Sequence, residues 1–300
     1  MPNEIKNTLT AVSFMILASL LIAGTTILAK ILGTDKLGPP LNALQISNAR
    51  FFFAFILIFI FFVITKSKII RPSYKVHLGR SFCGWVGISI LFGASSVIPV
   101  TDATAIVFTN PIFTMLLAIP LLGEKIKPLK WIAVIITFVG ALILIRPESN
   151  FTNIQLIIIV LILGAFALGL ESIFIKMLTL KENPKQILLI NNSIGLLISL
   201  IPVYFIWITP TKLQILAMLG IGALMLCAQA CFIQALRRSK AHFAVPYFYS
   251  TLIFVAIYDF FIFKIIPDNI SFIGASLIII GGISIYLSEI IKKNKYNVML

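Results

Sequence analysis

The sequence predicts an all-α integral membrane protein of ten transmembrane helices, arranged as two inverted five-helix repeats over residues 1–147 and 148–300. Three observations carry this. The chain of 300 residues is 60% apolar and 11% charged, with mean hydropathy +1.08, where a soluble domain has about 45–50% apolar and about 25% charged residues. Ten apolar runs of membrane-spanning length follow one another with short connections. The basic residues alternate from loop to loop. Lys6, Lys66, Lys68, Arg71, Lys75, Lys125, Lys127, Lys130, Lys181, Lys185, Arg237, Arg238, Lys240, Lys292, Lys293 and Lys295 fall on one side, 16 in all, and only Lys36, Arg146, Lys212 and Lys264 on the other. Because Lys and Arg stay cytoplasmic, both termini are expected in the cytoplasm and the chain in the inner membrane. The net charge of +14 therefore points to loop topology, and no nucleic-acid partner is expected.

The first run, Leu9–Leu32, is too long for a cleavable signal segment of about 7–15 apolar residues and reads as a retained signal-anchor helix. Leu44–Thr65, Leu78–Pro99, Ala103–Leu122 and Leu129–Ile145 complete the first half. Each approaches the about 20 apolar residues that cross a hydrocarbon core of about 30 Å. Thr109-Asn110-Pro111 interrupts the fourth run. Gly123–Pro128 hinges it to the fifth, with Gly123, Glu124 and Pro111 as structural hinge residues. The second half holds Ile154–Lys176, Ile187–Thr209, Leu213–Leu236, Phe243–Phe263 and Phe272–Ile291. At a shift of 141 positions, Ala103, Ile112, Phe113, Ile132 and Gly140 meet Ala244, Ile253, Phe254, Ile273 and Gly281. Five helices per half is odd, so the second copy enters the membrane upside down, an architecture whose ligand site lies near the midplane.

Asn48-Ala49-Arg50-Phe51 opens the second helix and Arg80 the third. Asn110-Pro111-Ile112-Phe113, Leu122-Gly123-Glu124, Gly274-Ala275 and Gly281-Gly282 follow. With these motifs the chain resembles the drug/metabolite transporter superfamily, EamA type, over its whole length. Glu171 in Leu-Glu-Ser-Ile-Phe-Ile-Lys, Pro246-Tyr247-Phe248-Tyr249, Phe261-Ile262-Phe263 and Pro267-Asp268 make it similar to the group that includes S-adenosylmethionine transporters. The resemblance implies a ten-helix carrier of small metabolites without ATPase parts. The sequence departs from the pattern where Glu124 is matched by Ile265, beside Lys264, and Pro111 by Leu252.

Ionisable residues inside a membrane helix are functional candidates because their burial is costly. Glu171 and Asp259 qualify, for ion or proton coupling and, for Glu171, as the counter-charge of a cationic substrate group; the rival reading is a salt bridge or a snorkelling side chain. Lys30, Arg50, Arg80 and Lys176 fall at helix ends. Asn110, Asn191 and Gln229 are candidate substrate contacts, against the plainer role of tying helices together, which Asn192 and Gln234 share. Trp85, Tyr247 and Tyr249 are candidate pocket walls, with the two tyrosines about 200° apart on a helix. Trp131 and Trp207 read as interfacial belt residues. Pro99, Pro120, Pro202 and Pro246 are expected to shape the bundle, and Ala165 with Gly169, Gly195 with Ser199 and Ala133 with Thr137 to allow close helix approach.

Cys83, Cys227 and Cys231 read as small packing residues, and His77 and His242 fall near the cytoplasmic surface. No metal cluster, phosphate-cradling loop or nucleophile elbow appears, so neither enzymatic activity nor a cofactor is expected. The expected partners are a small-molecule substrate and the lipid bilayer, and a homodimer is compatible with the sequence. The favoured function is secondary active transport by alternating access, of S-adenosylmethionine or another cationic or zwitterionic metabolite or amino acid. The alternatives are a non-transporting scaffold or sensor and a lipid-modifying enzyme.

Overall fold

A computed structural model describes residues 2–94, 100–145, 155–264 and 268–298. Pro99, Arg146, Pro147, Ile154, Ile265 and Pro267 lie outside the described residues. The helices are α1 (Pro2–Leu32), α2 (Ala43–Ile64), α3 (Tyr74–Ala94), α4 (Val100–Val107), α5 (Asn110–Leu122), α6 (Pro128–Ile145), α7 (Gln155–Thr179), α8 (Pro184–Ile206), α9 (Lys212–Arg238), α10 (Ala241–Ala244), α11 (Ser250–Phe263) and α12 (Asn269–Val298). Short 3-10 turns cover Asp35–Leu37 and Val245–Tyr249, and no strand occurs among the described residues. Among the described residues, seven spans are long and apolar enough to cross a membrane, and Asn110–Leu122 and Pro128–Ile143 are shorter apolar helices. The protein is thus an all-helical, multi-pass membrane protein.

The fourth apolar run breaks at the sequence's polar interruption. Asn110 Nδ2 donates to the Val107 carbonyl at 3.1 Å, closing α4, and Pro111, which has no N–H to give, sits in the first turn of α5. The ninth run breaks at Pro246 in the same way, giving the turn Val245–Tyr249. This turn changes the expectation for Tyr247 and Tyr249. The α-helical spacing that would send one of them away from the interior does not apply, and both are buried.

Helix pairing is dense. α1 packs on α9, α3 on α7, α2 on α8 and α6 on α12. Glycines permit the closest approaches: a Cβ at Gly195 would lie 2.3 Å from the Phe51 ring, and one at Gly222 2.4 Å from Phe53 Cβ. At the α6–α12 crossing, a Cβ at Gly140 would meet the Gly274 carbonyl at 2.7 Å and one at Gly281 the Ala133 carbonyl at 2.9 Å. Outward-facing residues such as Ile64, Leu197, Ile201 and Phe205 are exposed, as a lipid-solvated surface requires.

Long-range polar clasps close both ends of the bundle. Gln186, at the start of α8, exchanges two hydrogen bonds with the backbone of Ile70: it accepts from the N–H at 2.8 Å and donates to the carbonyl at 3.2 Å. Gln45, near the start of α2, does the same with Ile208, accepting at 3.1 Å and donating at 2.6 Å. Each helix start thus clasps the loop beyond the other's end, so α2 and α8 run antiparallel. Near Gln45, Thr211 Oγ1 donates to the Leu37 carbonyl and Gln214 Nε2 to the Pro39 carbonyl.

At the Gln186 end, two buried carboxylates are held by backbone and imidazole. Glu124 accepts from the Ala241 N–H at 2.9 Å, the His242 N–H at 3.1 Å and His242 Nδ1 at 2.6 Å. Lys130 Nζ lies 3.0 Å from His242 Nε2. An ammonium can only donate, so Nε2 is the acceptor and Nδ1 carries the hydrogen given to Glu124. Glu182 accepts from the Ser73 N–H at 2.7 Å, from Gln186 Nε2 at 2.6 Å, and pairs with His77 Nε2 at 2.8 Å. His77 and His242 are therefore buried at this end of the bundle. Glu124 is matched to His242 and the start of α10. Lys176, expected at a helix end, is buried and donates to the Leu236 and Ser239 carbonyls at 2.6 and 2.7 Å, capping α9. Trp131, near the start of α6, is half-buried against the main core, and Trp207 follows α8 and is exposed.

Burial pushes the Glu124 carboxyl up, but the bonds from His242 and Ala241 outweigh it and hold the group below the usual carboxylate range. Glu182 is likewise raised by burial and lowered further by Ser73, His77 and Gln186. A depressed carboxyl contributes stability that is present above its unfolded pKa, about 4.3, and lost as pH falls through the folded value. Melting of the purified protein should thus fall steeply on acidification below about pH 4.3. Glu124→Gln should cost about 2 kcal/mol at neutral pH and flatten that acid limb. Gly140→Ala should lower the melting temperature by the equivalent of about 1–3 kcal/mol. Gly220→Ala should leave it level or raise it, because its nearest neighbour is the flexible tip of Leu28 at 3.3 Å.

Candidate functional site

α3 and α7 approach closely because α3 carries glycines on the face turned to α7. A Cβ at Gly79 would strike the Phe174 ring at 2.9 Å, and one at Gly87 would strike Leu168 Cγ at 2.5 Å. Between them, a Cβ at Gly84 would lie 2.8 Å from Glu171 Cδ and 2.9 Å from both carboxylate oxygens. Gly84 thus makes the space that the Glu171 carboxylate fills. Among the described residues, Glu171 has no hydrogen bond or ion pair.

Two arginines share this interior. Arg50 is on α2 and Arg80 on α3, both within electrostatic reach of Glu171. The Arg80 side chain is 1% exposed. One of its terminal nitrogens donates to the Ile187 carbonyl at the long distance of 3.4 Å, and its Nε has no partner. The Arg50 guanidinium lies 4.2 Å from the centre of the Phe51 ring, and its Nε is also unpartnered. Ser81, beside Arg80, donates to Asn191 Oδ1 at 3.0 Å, which brings α8 to the same place. Trp85, beside Gly84, is half-buried.

The arginines are not helix-end residues. Arg50 is the eighth residue of α2 and Arg80 the seventh of α3. Apolar character starts the third run at Leu78, but the helix itself starts at Tyr74 and carries Arg80 a turn deeper. The rule that singled out Glu171 applies to Arg50 on either boundary of its helix, and to Arg80 once α3 is drawn from Tyr74.

Other sequence candidates lie apart from this cluster. The Asn110–Pro111 kink packs on α7 at Gly169, where an added Cβ would meet Phe113 Cβ at 2.8 Å and the Asn110 carbonyl at 3.2 Å. Gly169 and Glu171 are about 200° apart on the helix, so kink and carboxylate occupy opposite faces of α7. Gln229 accepts from Asn192 at 3.4 Å, linking α9 to α8. Tyr247 and Tyr249 donate to the Gly282 and Phe108 carbonyls at 2.9 and 2.8 Å. Asp259 pairs with Lys30 at 2.9 Å, joining α11 to α1. Gly123 ends α5 in the left-handed conformation, φ +63°, and Glu124 belongs to the clasp already described. Among the described residues no group of His, Cys, Asp and Glu has metal-binding geometry. The cluster places two positive groups and one negative group within electrostatic reach of one another.

The chain matches the model of the EamA-like transporter family twice, over residues 9–146 and 155–287. It is 27% identical over 290 residues to the S-adenosylmethionine uptake transporter of Rickettsia prowazekii, covering 96% of each chain. It is 27% identical to the riboflavin transporter of Rhizobium johnstonii, over 73% of this chain and 72% of that one. To the pseudopaline exporter of Pseudomonas aeruginosa it is 23% identical, over 72% and 76%. A protein of known crystal structure shares the fold with a TM-score of 0.78 over 93% of this chain and 96% of that chain, at 13% identity. These named relatives are transporters and not enzymes. The double match spans nearly the whole all-helical chain, which therefore belongs to the EamA-like transporter family.

Proposed function

We propose that the protein is a secondary transporter of the inner membrane, with both termini cytoplasmic, that moves a small charged metabolite by alternating access through the space around Glu171. The observation that carries this is a carboxylate and two guanidiniums on membrane helices, within electrostatic reach of one another and with no ion pair between them. Charges held in this way cost several kcal/mol unless something else engages them, and a transported ligand is such a partner.

Ten spans in two inverted repeats, 1–147 and 148–300, fit this reading. Gln45 and Gln186, 141 positions apart, make the same two-bond clasp at opposite ends of the bundle. Gly123 and Lys264, also 141 apart, both end their helices in the left-handed conformation, at φ +63° and +59°. Gly140 and Gly281 are the matching contacts of the α6–α12 crossing. The pairings α1 with α9 and α3 with α7 exchange when each span is replaced by its counterpart in the other half. Such a frame lets the halves rock about a central site.

The relatives' names include an uptake carrier and an exporter, and their cargoes differ, so the side chains at the site set the substrate. S-adenosylmethionine, which is at once a cation and an amino acid, is the first candidate. Others are cationic or zwitterionic metabolites and amino acids. No nucleotide-hydrolysing motif occurs in the sequence, so the drive is a substrate gradient, exchange or protons.

Purified protein in proteoliposomes should take up or exchange radiolabelled S-adenosylmethionine or a related zwitterion. Glu171→Gln should reduce the rate or affinity by about 10- to 100-fold; a Glu171→Gln protein present in the membrane and transporting normally would sink the proposal, as would an absence of flux for every solute in the panel. Cysteines placed at Lys127 and Lys185 should be labelled by an impermeant reagent only after cells are opened, and cysteines at Lys36 and Lys212 in intact cells. The reverse pattern would overturn the orientation.

A further inference from the structure

Glu171 alone suits a cation, but its surroundings do not. The site holds two guanidiniums against one carboxylate, so its formal charge is positive. A ligand carrying only positive charge would add a third cation to a space with a single anion. A ligand of two negative charges would meet Glu171, and a neutral one would leave all three charges without partners in a low-dielectric interior. We infer that Arg50 and Arg80 form the carboxylate-binding end of the site and Glu171 its cation-binding end, so that the transported class is zwitterionic, carrying a carboxylate and a separate positive centre.

The inference rests on the transport reading above and narrows its substrate class. Each guanidinium has five N–H donors in a fixed fork that fits a carboxylate with two parallel bonds. Very little of that capacity is used. Arg80 makes one long bond, to the Ile187 carbonyl at 3.4 Å, and its buried Nε has no partner. The Arg50 guanidinium lies 4.2 Å from the centre of the Phe51 ring, and its Nε is buried and unpartnered as well. The arginines come from different helices, α2 and α3, so one carboxylate held by both would draw those helices together around it. Gly84 keeps the Glu171 carboxylate close to the α3 backbone, with its oxygens uncommitted among the described residues. Direct Arg–Glu pairing would satisfy the protein by itself, and the structure does not contain it. A zwitterion supplies the missing partner to each side at once.

The test is equilibrium binding to the full-length purified protein, read as thermal stabilisation and radioligand displacement. The probes are S-adenosylmethionine, its decarboxylated analogue, a set of amino acids and riboflavin. At least one carboxylate-bearing zwitterion should bind. Loss of the carboxylate from that ligand should weaken binding by about 10- to 100-fold. Arg50→Gln and Arg80→Gln should weaken the parent ligand by a similar factor while changing the affinity for the decarboxylated form by less than about threefold. Arg→Lys at either position should recover part of the loss, because the charge remains and only the fork is gone. Gel-filtration profiles and unliganded melting temperatures identify variants that fail to fold, and for those the ligand series on the unmodified protein decides. The inference is overturned if the decarboxylated analogue binds as tightly as its parent, if folded Arg→Gln variants keep wild-type affinity, or if no carboxylate-bearing zwitterion binds. If S-adenosylmethionine fails but another zwitterion binds with the same arginine dependence, the substrate suggestion fails and this inference stands. Arginine-dependent binding without flux in proteoliposomes would also support it, while removing the transport reading.

Discussion

Inside a bilayer there is no water to accept a stray hydrogen bond or to screen a charge, so every polar group in this chain must find its partner in the protein or in a ligand. Most do so over long sequence separations. Glu124 is tied to Ala241 and His242, Glu182 to Ser73 and His77, and Lys176 to the carbonyls that end α9. Tyr247 and Tyr249 spend their hydroxyls on backbone carbonyls of other segments. Against this background, Glu171, Arg50 and Arg80 stand out because they are within electrostatic reach of one another and form no ion pair.

The position of the clasps explains how such a cluster can persist. The Glu124 and Glu182 networks and the Gln186 clasp close one end of the bundle, while the Gln45 clasp, the Thr211 and Gln214 bonds and the Lys30–Asp259 pair tie the other. Between them, the α3–α7 and α2–α8 seams are packed through glycines whose added Cβ atoms would collide with a neighbouring side chain or backbone. Rigid seams and polar ends leave the middle as the place where ionic groups can remain unsatisfied. Rearrangement at the ends has to break specific hydrogen bonds, which would give the proposed rocking motion two discrete end states instead of a continuous drift.

Much of the fold was legible in the sequence. Apolar runs, short loops and the alternation of basic residues are local properties, and the break at Asn110–Pro111 follows from proline's missing N–H. Part of the site was legible too. Glu171 was visible because a lone carboxylate in Leu-Gly-Leu-Glu-Ser-Ile has no local reason to be there. Arg80 was missed because hydropathy began the third run four residues late, at Leu78 and not Tyr74, leaving it at an apparent helix end; Arg50 is almost as deep in the second apolar run as it is in α2. Asp259 illustrates the opposite case: its sequence context equals that of Glu171, and only the approach of α1 supplies Lys30 as its partner.

Sequence alone therefore determined the environment of this protein, its helical character and the family it resembles, because lipid solvation and helix breaking act on neighbouring residues. Tertiary structure decided which charges meet. Glu171 and Arg80 are 91 residues apart, Glu171 and Arg50 121, and no local pattern relates them. Their meeting depends on glycines that let α3 lie against α7 and on the antiparallel packing of α2 and α8. A carboxylate read by itself suggests a cation site; the same carboxylate within electrostatic reach of two guanidiniums has surroundings of net positive charge.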